Sequence, residues 1–275
     1  MNGDTGFKRV CACFFSPCHN TEKAVRAIAD RVSERLNLPI SVFDFTGPNM
    51  REREMNFYEE DIVVIGTPVY AGRIPNKVLP YVQNSIHGND SVCIGAVTFG
   101  NRSFGDALGE LAFLMKSNGM KVIGGAAVVS EHSFAAELAT GRPDDKDMEL
   151  LTEFADSMVR KVETADWSEP IIPGEVPPSK YYTPLREDGE PAKFLKAVPQ
   201  TDPQRCISCG ACREACPMGV IDTDPSITTG ACIKCQACIK ICPVGARSFD
   251  DEDFLSHRRY LLNNYRESVL CQLFF

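Results

Sequence analysis

The sequence lacks the signatures of several common protein classes. It contains neither a G-x-G-x-x-G dinucleotide fingerprint nor a G-x-x-x-x-G-K-[ST] phosphate loop, so nothing supports a nicotinamide site or a P-loop. No apolar run approaches the roughly 18 residues that a membrane span needs. Residues 1–10 also lack the apolar core of a secretory signal. We therefore expect a cytoplasmic protein without a membrane partner.

An excess of basic charge is also missing. The net charge is -8, and residues 1–167 contribute -6 of it through 23 acidic and 17 basic side chains. Residues 200–250 carry five of each sign. Without a basic stripe to neutralise a phosphate backbone, we expect no nucleic-acid partner. An acidic surface favours basic protein partners instead, weakly and in a salt-dependent way.

Cysteine is the one residue type in clear excess. The chain has 13 cysteines, and eight of them fall between positions 206 and 242. An odd total without a secretory signal argues against a disulfide scaffold and favours a reducing compartment. The eight cysteines form an internal duplication, because C-x2-C-x2-C-x3-C-P occurs once from position 206 and again 26 residues later.

This spacing is typical of two [4Fe-4S] clusters. Three cysteines spaced three residues apart can bind three corners of one cube, while the fourth cysteine binds the other cube. The prediction therefore divides the ligands into a first set, Cys206, Cys209, Cys212 and Cys242, and a second set, Cys232, Cys235, Cys238 and Cys216. The alternative is a pair of structural zinc sites, which usually need separated C-x2-C knuckles or two histidines. Only His257 follows position 132, so the sequence favours iron–sulfur clusters.

Residues 1–167 alternate between short apolar strands and amphipathic helices. The pattern predicts five strands, at 7–15, 40–45, 61–66, 91–99 and 121–129. It predicts helices that begin at Asn20 or Thr21 and lie near 76–86, 104–118 and 147–166, with a further one at 49–58. Strands separated by helices pair in parallel through right-handed crossovers. We therefore predict an α/β fold with a doubly wound five-stranded sheet in the order 2-1-3-4-5.

The rest of the chain divides into three parts. Residues 168–199 contain seven prolines and little periodicity, which predicts an extended linker over the first domain. Residues 200–250 form the small cysteine domain, and residues 251–275 add a helix at about 252–270 and a tail. The helix would place Leu255, Leu262 and Val269 on one stripe. The apolar tail CQLFF predicts docking on the body or a contact in a homodimer.

Three loops leave the carboxyl ends of strands 1, 3 and 4, which are neighbours in the predicted sheet. Such loops converge on one crevice, where ligands of doubly wound sheets bind. The first loop enters a helix N-terminus, which favours an anion. Glycines and aromatic side chains in the other two suit a flat heterocycle. The candidate cofactor-binding residues are Ser16, Cys18, His19, Asn20 and Thr21 in the first loop, Thr67, Pro68, Val69, Tyr70, Ala71 and Gly72 in the second, and Thr98, Phe99, Gly100, Asn101, Arg102 and Gly105 in the third.

At these loops and at the duplicated cysteine motif, the chain resembles the flavodoxin–ferredoxin fusion proteins of anaerobic bacteria and archaea. TPVYAGRIP and TFGNRSFGDAL are the most specific motifs on the flavodoxin side. The resemblance implies FMN, with its phosphate in the first loop and its ring near Tyr70 and Phe99. It also implies two low-potential [4Fe-4S] clusters in a ferredoxin domain. Cys18 and His19 depart from the pattern, because flavodoxins usually have Thr and Gly there.

The segment 130–146 leaves the end of the fifth strand and is long for a loop. His132 and Glu131 are candidate proton donors to a reduced substrate if it lies beside the flavin. The alternative is a solvated loop that ends at a helix cap formed by Asp144 or Asp145. Arg73 and Arg102 are candidates for contact with reduced flavin or with an anionic substrate, or are solvated loop arginines.

These features favour electron transfer between clusters and FMN, converting one-electron into two-electron chemistry under anaerobic conditions. The expected partner is a redox protein, either a ferredoxin or a low-potential oxidoreductase. An alternative is an FMN-dependent reductase of a small organic acceptor, with His132 as its acid. A third possibility is a non-redox module that binds flavin without exchanging electrons.

Overall fold

The computed structural model describes residues 6–275. Residues 1–5, part of the opening segment used above to argue against a secretory signal, lie outside the described residues. The strands are β1 (Arg9–Phe14), β2 (Ile40–Asp44), β3 (Met55–Asn56), β4 (Asp61–Pro68), β5 (Ile86–His87), β6 (Val92–Phe99), β7 (Lys121–Val129), β8 (Gln200–Thr201), β9 (Arg247–Ser248) and β10 (Gln272–Phe274). The α-helices are α1 (Asn20–Leu36), α2 (Leu79–Asn84), α3 (Ala107–Ser117), α4 (Asp145–Glu163), α5 (Ala211–Glu214), α6 (Ala237–Lys240) and α7 (Glu252–Asn264).

The main sheet has the order β10-β7-β6-β4-β1-β2. Its five long strands pair in parallel, and in chain order they read 2-1-3-4-5, the flavodoxin-like arrangement. Each predicted strand lies within two residues of its observed bounds. The prediction of five strands was incomplete, because β10 adds a sixth, antiparallel strand beside β7. The tail therefore docks on the body by extending the sheet.

Helices cover both faces of the sheet. Helices α1 and α4 pack on one face, where Val25, Ile28 and Val32 are fully buried. Helices α2 and α3 lie on the other face, around Tyr81 and Leu108. Since both faces are covered, the central strands read as continuous apolar runs, such as IVVI in β4.

Two local predictions were wrong. Residues 49–58 form a 3-10 helix at Pro48–Glu52 followed by strand β3 rather than an α-helix, because β3 pairs with β5. The C-terminal helix ends at Asn264, well before position 270. Its buried face contains Phe254, His257 and Leu261, whereas the predicted stripe of Leu255, Leu262 and Val269 is only half-buried.

The proline-rich segment lies against the sheet domain. Ser179 donates its backbone N–H to Asp106, and the backbone N–H of Tyr182 donates to the carbonyl of Ala71 at 2.8 Å. The cysteine domain also contacts the sheet domain, because Arg51 donates to the Pro217 carbonyl. Among residues 6–275, no helix is long and apolar enough to cross a membrane.

Candidate functional site

A cleft opens at the carboxyl ends of β1, β4, β6 and β7. Its cavity measures about 220 Å³. Three groups of side chains line it: the predicted loops, the loop after β7, and residues from beyond the sheet domain. The lining residues from the predicted loops are Ser16, Cys18, Asn20, Thr21, Pro68, Val69, Tyr70, Ala71, Gly72, Thr98, Phe99, Gly100 and Arg102. The structure thus brings most of the predicted cofactor residues together.

The first loop ends in the N-terminus of α1. Ser16 lies before the helix begins, and its hydroxyl accepts the Glu22 N–H of the first turn at 2.9 Å. Within residues 6–275, the backbone N–H groups of Cys18, Asn20 and Thr21 have no hydrogen-bond partner. Unpaired N–H groups at the positive end of a helix dipole fit a phosphate group.

The second loop leaves β4 at Pro68 and turns sharply. Tyr70 and Arg73 bond through their backbones at 2.8 and 3.1 Å, while Ala71 and Gly72 between them take positive φ angles of 52° and 82°. Burial raises the pKa of Tyr70 well above its usual value, and the nearby Cys235 and Cys18 add to the shift. The turn therefore holds a neutral, half-buried phenol beside the cleft, which fits a flat ring.

Four predicted cofactor residues do not line the cleft. His19 is exposed at the start of α1 and bonds Glu22 at 2.9 Å. Thr67 is fully buried, with a hydroxyl that lacks a partner in the described part of the chain. Asn101 donates to the carbonyls of Tyr265 and Glu267, so it holds the C-terminal segment.

Gly105 is the fourth of these residues, and it supports the cleft from behind. It has a φ of +53°, and a Cβ placed there would lie 2.5 Å from the Gly72 carbonyl oxygen. Glycine at this position lets the second and third loops approach each other closely.

Arg73 also differs from its prediction. Its guanidinium forms an ion pair with the buried Glu110 and lies 4.6 Å from the centre of the Tyr181 ring. It therefore fixes the second loop against α3 and the linker, whereas Arg102 does line the cleft.

His132 lines the cleft as a neutral ring. Its Nδ1 accepts the Phe134 N–H at 3.1 Å, which places the ring proton on Nε2. Burial lowers the pKa of His132 to about 3, and the nearby His257, Arg102 and Lys240 add to the effect. The ring can donate a hydrogen bond from Nε2, but this environment opposes the imidazolium form that an acid role requires. The loop ends at Asp144, which caps α4 as one of the two predicted candidates.

Sequence reasoning missed the far wall of the cleft. This wall consists of residues from the linker, the cysteine domain and α7: Tyr182, Pro184, Phe194, Ile233, Lys234, His257 and Leu261. The aromatic side chains in the proline-rich segment were the available signal, since a linker with no further role has little use for buried phenylalanine.

The first set of predicted cluster ligands surrounds a cavity of its own. Cys206, Cys209, Cys212 and Cys242 line a space of about 220 Å³ that opens to the surface at the exposed Cys209. Backbone N–H groups at the end of the motif bond the Cys242 sulfur, that of Ala246 at 3.2 Å. Burial raises the pKa of Cys242, but four backbone N–H groups at residues 244–247 outweigh it and leave the pKa below its usual value.

The second set surrounds a tighter cavity of about 20 Å³ lined by Cys216, Cys232, Cys235 and Cys238. Burial raises the pKa of Cys235, and it raises that of Cys238 to about 11. Buried thiols of this kind become thiolates when a metal centre supplies compensating charge. In residues 6–275 no three His, Cys, Asp or Glu side chains converge closely enough for a single metal ion.

Arg247 lies between the two cavities and lines both of them. It is buried, donates to Thr201 and to the Pro225 carbonyl, and forms no ion pair with a carboxylate in the described residues. A buried cation without a carboxylate fits a neighbouring anionic centre. Two sets of four thiols around such a cation fit two iron–sulfur cubes.

The second set of cysteines lies beside the cleft. The Cys18 sulfur, in the first loop, donates to the Cys235 carbonyl at 3.0 Å. Lys240, on α6, forms an ion pair with Glu131 in the loop after β7 at 2.9 Å. Ile233 and Lys234 line the cleft itself, and Lys234 also lines the second cavity. The candidate cofactor sites are therefore direct neighbours.

Comparison with protein families identifies the C-terminal part. A family model described as a 4Fe-4S dicluster domain matches residues 205–246, a stretch that contains all eight cysteines of the duplicated motif. This match supports a redox role in electron transfer. Among curated proteins none matches this chain.

Three solved structures illustrate what the chain is similar to. A flavodoxin from the domain Archaea aligns with 56% of this chain and 99% of its own, at 15% identity and a TM-score of 0.43. Rubredoxin oxygen:oxidoreductase from the anaerobe Desulfovibrio gigas aligns with 58% of this chain and 36% of its own, at 17% identity and a TM-score of 0.37. The Flv1 flavodiiron core from Synechocystis sp. PCC6803 aligns with 58% and 37%, at 13% identity and a TM-score of 0.42. The flavodoxin-like assignment rests on the strand order of this chain itself.

Proposed function

We propose that this protein binds one FMN and two [4Fe-4S] clusters and transfers electrons between them. The clusters would supply one-electron transfer, and the flavin would supply one- or two-electron chemistry. The observation that carries the proposal is the bond from the Cys18 sulfur to the Cys235 carbonyl, because it joins the candidate phosphate loop to a candidate cluster ligand.

The residues around this contact have defined tasks in the proposal. The N–H groups of Cys18, Asn20 and Thr21 bind the FMN phosphate, while Tyr70 and Phe99 contact the flat ring. Cys206, Cys209, Cys212 and Cys242 bind the outer cluster, and Cys216, Cys232, Cys235 and Cys238 bind the inner cluster. The ion pair between Lys240 and Glu131 keeps the inner cluster site against the cleft.

The exposure of the cysteines suggests where electrons would enter the protein. Cys209 is exposed and Ile207 beside it is 60% exposed, whereas Cys235 and Cys238 are buried, and Cys235 contacts Cys18 of the sheet domain. A redox protein partner, such as a ferredoxin or a low-potential oxidoreductase, would thus exchange electrons at the outer cluster. We place this protein in the reducing cytoplasm of an anaerobe.

The first experiment counts cofactors after anaerobic purification. We expect about eight irons and one FMN per chain. About two zinc ions without flavin would refute the proposal.

The second experiment tests whether electrons pass between the flavin and the clusters. The oxidised protein receives fewer electrons than its cofactors can hold, and absorbance and EPR follow their redistribution between flavin and clusters. We expect Cys235→Ala to remove the inner cluster and to isolate the flavin from the outer one. Cys271→Ala, which changes a cysteine outside both motifs, should behave like the wild type. A wild-type protein whose flavin and clusters never exchange electrons would instead fit a non-redox module.

A second candidate function is an FMN-dependent reductase of a small organic acceptor. The observation in its favour is the far wall of the cleft, because a carrier between proteins needs no enclosed aromatic space beside the flavin. Photoreduced protein should then be reoxidised by the acceptor at catalytic rates. If His132 has a direct role, His132→Ala should slow that reaction while electron exchange with a ferredoxin persists.

A further inference from the structure

The far end of the cleft forms an aromatic chamber, which we define by Arg102, His132, Phe134, Tyr182, Phe194 and His257. All six residues line the cleft. Only the first three belong to loops of the sheet domain. The linker contributes Tyr182 and Phe194, and α7 contributes His257. The chain therefore uses two segments outside the sheet to enclose this space.

The walls of the chamber are flat and fixed. The His257 ring stacks on Phe194 with centroids 5.5 Å apart, and Phe134 meets Phe194 edge-on at 6.4 Å. His257 is buried, and its Nδ1 bonds the Leu185 carbonyl at 2.8 Å, which anchors α7 to the linker. Walls of this kind accept a planar group and exclude water from it.

The chamber has a cation without a matching anion. The Arg102 guanidinium carbon lies 4.0 Å from the centre of the Tyr182 ring, with the Tyr265 phenol also beside it. No carboxylate in residues 6–275 forms an ion pair with Arg102. Glu131, the carboxylate that lines the cleft, is paired with Lys240.

The two imidazoles add hydrogen-bonding groups but no negative charge. Burial lowers the pKa of His257, and Arg102 lowers it further, as it does for His132. The chamber therefore offers one guanidinium fork, neutral ring nitrogens and aromatic faces. A guanidinium fork matches a carboxylate through two parallel hydrogen bonds.

We propose that the aromatic chamber binds a planar organic carboxylate, with the carboxylate on Arg102 and the flat body of the molecule among the aromatic side chains that line the cavity. This inference rests on the proposed binding of FMN in the same cleft, because that places the bound molecule beside the flavin. It gives the second candidate function a class of acceptor, namely α,β-unsaturated carboxylic acids, whose carbon–carbon double bond would take two electrons from the reduced flavin and two protons supplied in the end by water.

Cinnamate is a suitable probe, because it is planar, conjugated and anionic, and cinnamyl alcohol is its uncharged counterpart. The FMN-loaded protein is titrated with each compound while the flavin absorbance spectrum is recorded. We expect cinnamate to perturb the spectrum and to bind more tightly than cinnamyl alcohol. Arg102→Gln should weaken the binding of cinnamate by about 10- to 100-fold, the usual loss for a charge-assisted hydrogen bond. The same variant should leave the affinity for cinnamyl alcohol unchanged.

Two further variants locate the effect. Arg102→Lys keeps the charge but loses the fork, so it should bind cinnamate with intermediate affinity. Arg259→Gln removes a surface arginine of α7 that pairs with Glu187, and it should match the wild type.

Three results would overturn the inference. The first is a flavin spectrum that does not respond to millimolar cinnamate. The second is an equal loss of affinity for cinnamate and for cinnamyl alcohol in Arg102→Gln. The third is a tenfold loss of FMN affinity in that variant, which would assign Arg102 to the cofactor. A wild-type protein that binds no FMN is a different result, because it refutes the proposed function itself.

Discussion

His132 should stay neutral across the pH range in which the protein works. Burial is the first cause, and the positive charges of Arg102 and Lys240 and the nearby His257 oppose protonation further, so the pKa is about 3. At pH 5.5 a group with that pKa is roughly 0.3% protonated, whereas a free imidazole of pKa about 6.5 is roughly 90% protonated. The two cases are therefore easy to distinguish.

The assay is NMR of the histidine Cε1–H resonances in the oxidised protein between pH 8 and 5.5, with the His132 signal assigned by its loss in His132→Gln. We expect that signal to hold the position of a neutral ring. A midpoint near pH 6 would refute the reasoning, and it would restore His132 as an imidazolium donor.

Stability gives a second readout with a defined sign. Because the pKa of folded His132 lies below that of the unfolded chain, the unfolded state binds more protons between about pH 3 and 6.5. Stability from this residue is therefore lost as the pH falls through that window. The loss between pH 7.5 and 5.5 is at most about 1.4 kcal/mol, reduced by the partial exposure of the ring. The His132→Gln variant should therefore lose correspondingly less stability on acidification.

Three other substitutions test single contacts. Asn101→Ala leaves the carbonyls of residues 265 and 267 without their donor, so hydrogen exchange in β10 should rise about 10- to 100-fold. Gly105→Ala forces a Cβ against the Gly72 carbonyl, so FMN affinity should fall about tenfold. Lys234→Gln removes a buried ammonium that donates to the Cys232 carbonyl at 3.1 Å. The reduction potential of the inner cluster, measured by EPR titration, should therefore fall by tens of millivolts. For a one-electron couple, about 60 mV corresponds to a tenfold change in the equilibrium constant.

Two of these substitutions have a control variant, and all three have a contrary result. Gly189→Ala shares the positive φ of Gly105 but has no atoms within 4 Å, so flavin affinity should persist; equal losses would mean that backbone strain alone is responsible. Lys196→Gln changes an exposed lysine and should leave the potential unchanged; an unshifted potential in Lys234→Gln would mean that Lys234 is neutral. For Asn101, unchanged exchange in β10 would show that the pairing with β7 alone holds the tail.

The sheet could be predicted from the sequence because its strands are apolar runs separated by helix periodicity. The cysteine spacing likewise indicated the two ligand sets, which the fold gathers around separate cavities. Both signals are local, and both arise from residues whose neighbours in space are set by short-range geometry.

The remaining features depend on contacts distant in the chain. Asn101 looked like a cofactor residue, yet its partners lie more than 160 positions away. The strand β10 has three residues and no alternating pattern, so only pairing with β7 defines it. The aromatic chamber needed the path of the linker, which proline content alone does not specify.

Because the chain returns to the sheet at β10, the cysteine domain is an insertion in the chain between two strands of the same sheet, β7 and β10. The chain leaves the sheet domain after α4, passes through the cysteine motifs and returns to pair with β7. A segment anchored at both ends swings less than one on a single tether. Its position against the cleft is then maintained by the path of the backbone, so the proposed electron exchange would not require a search for the docked arrangement each time.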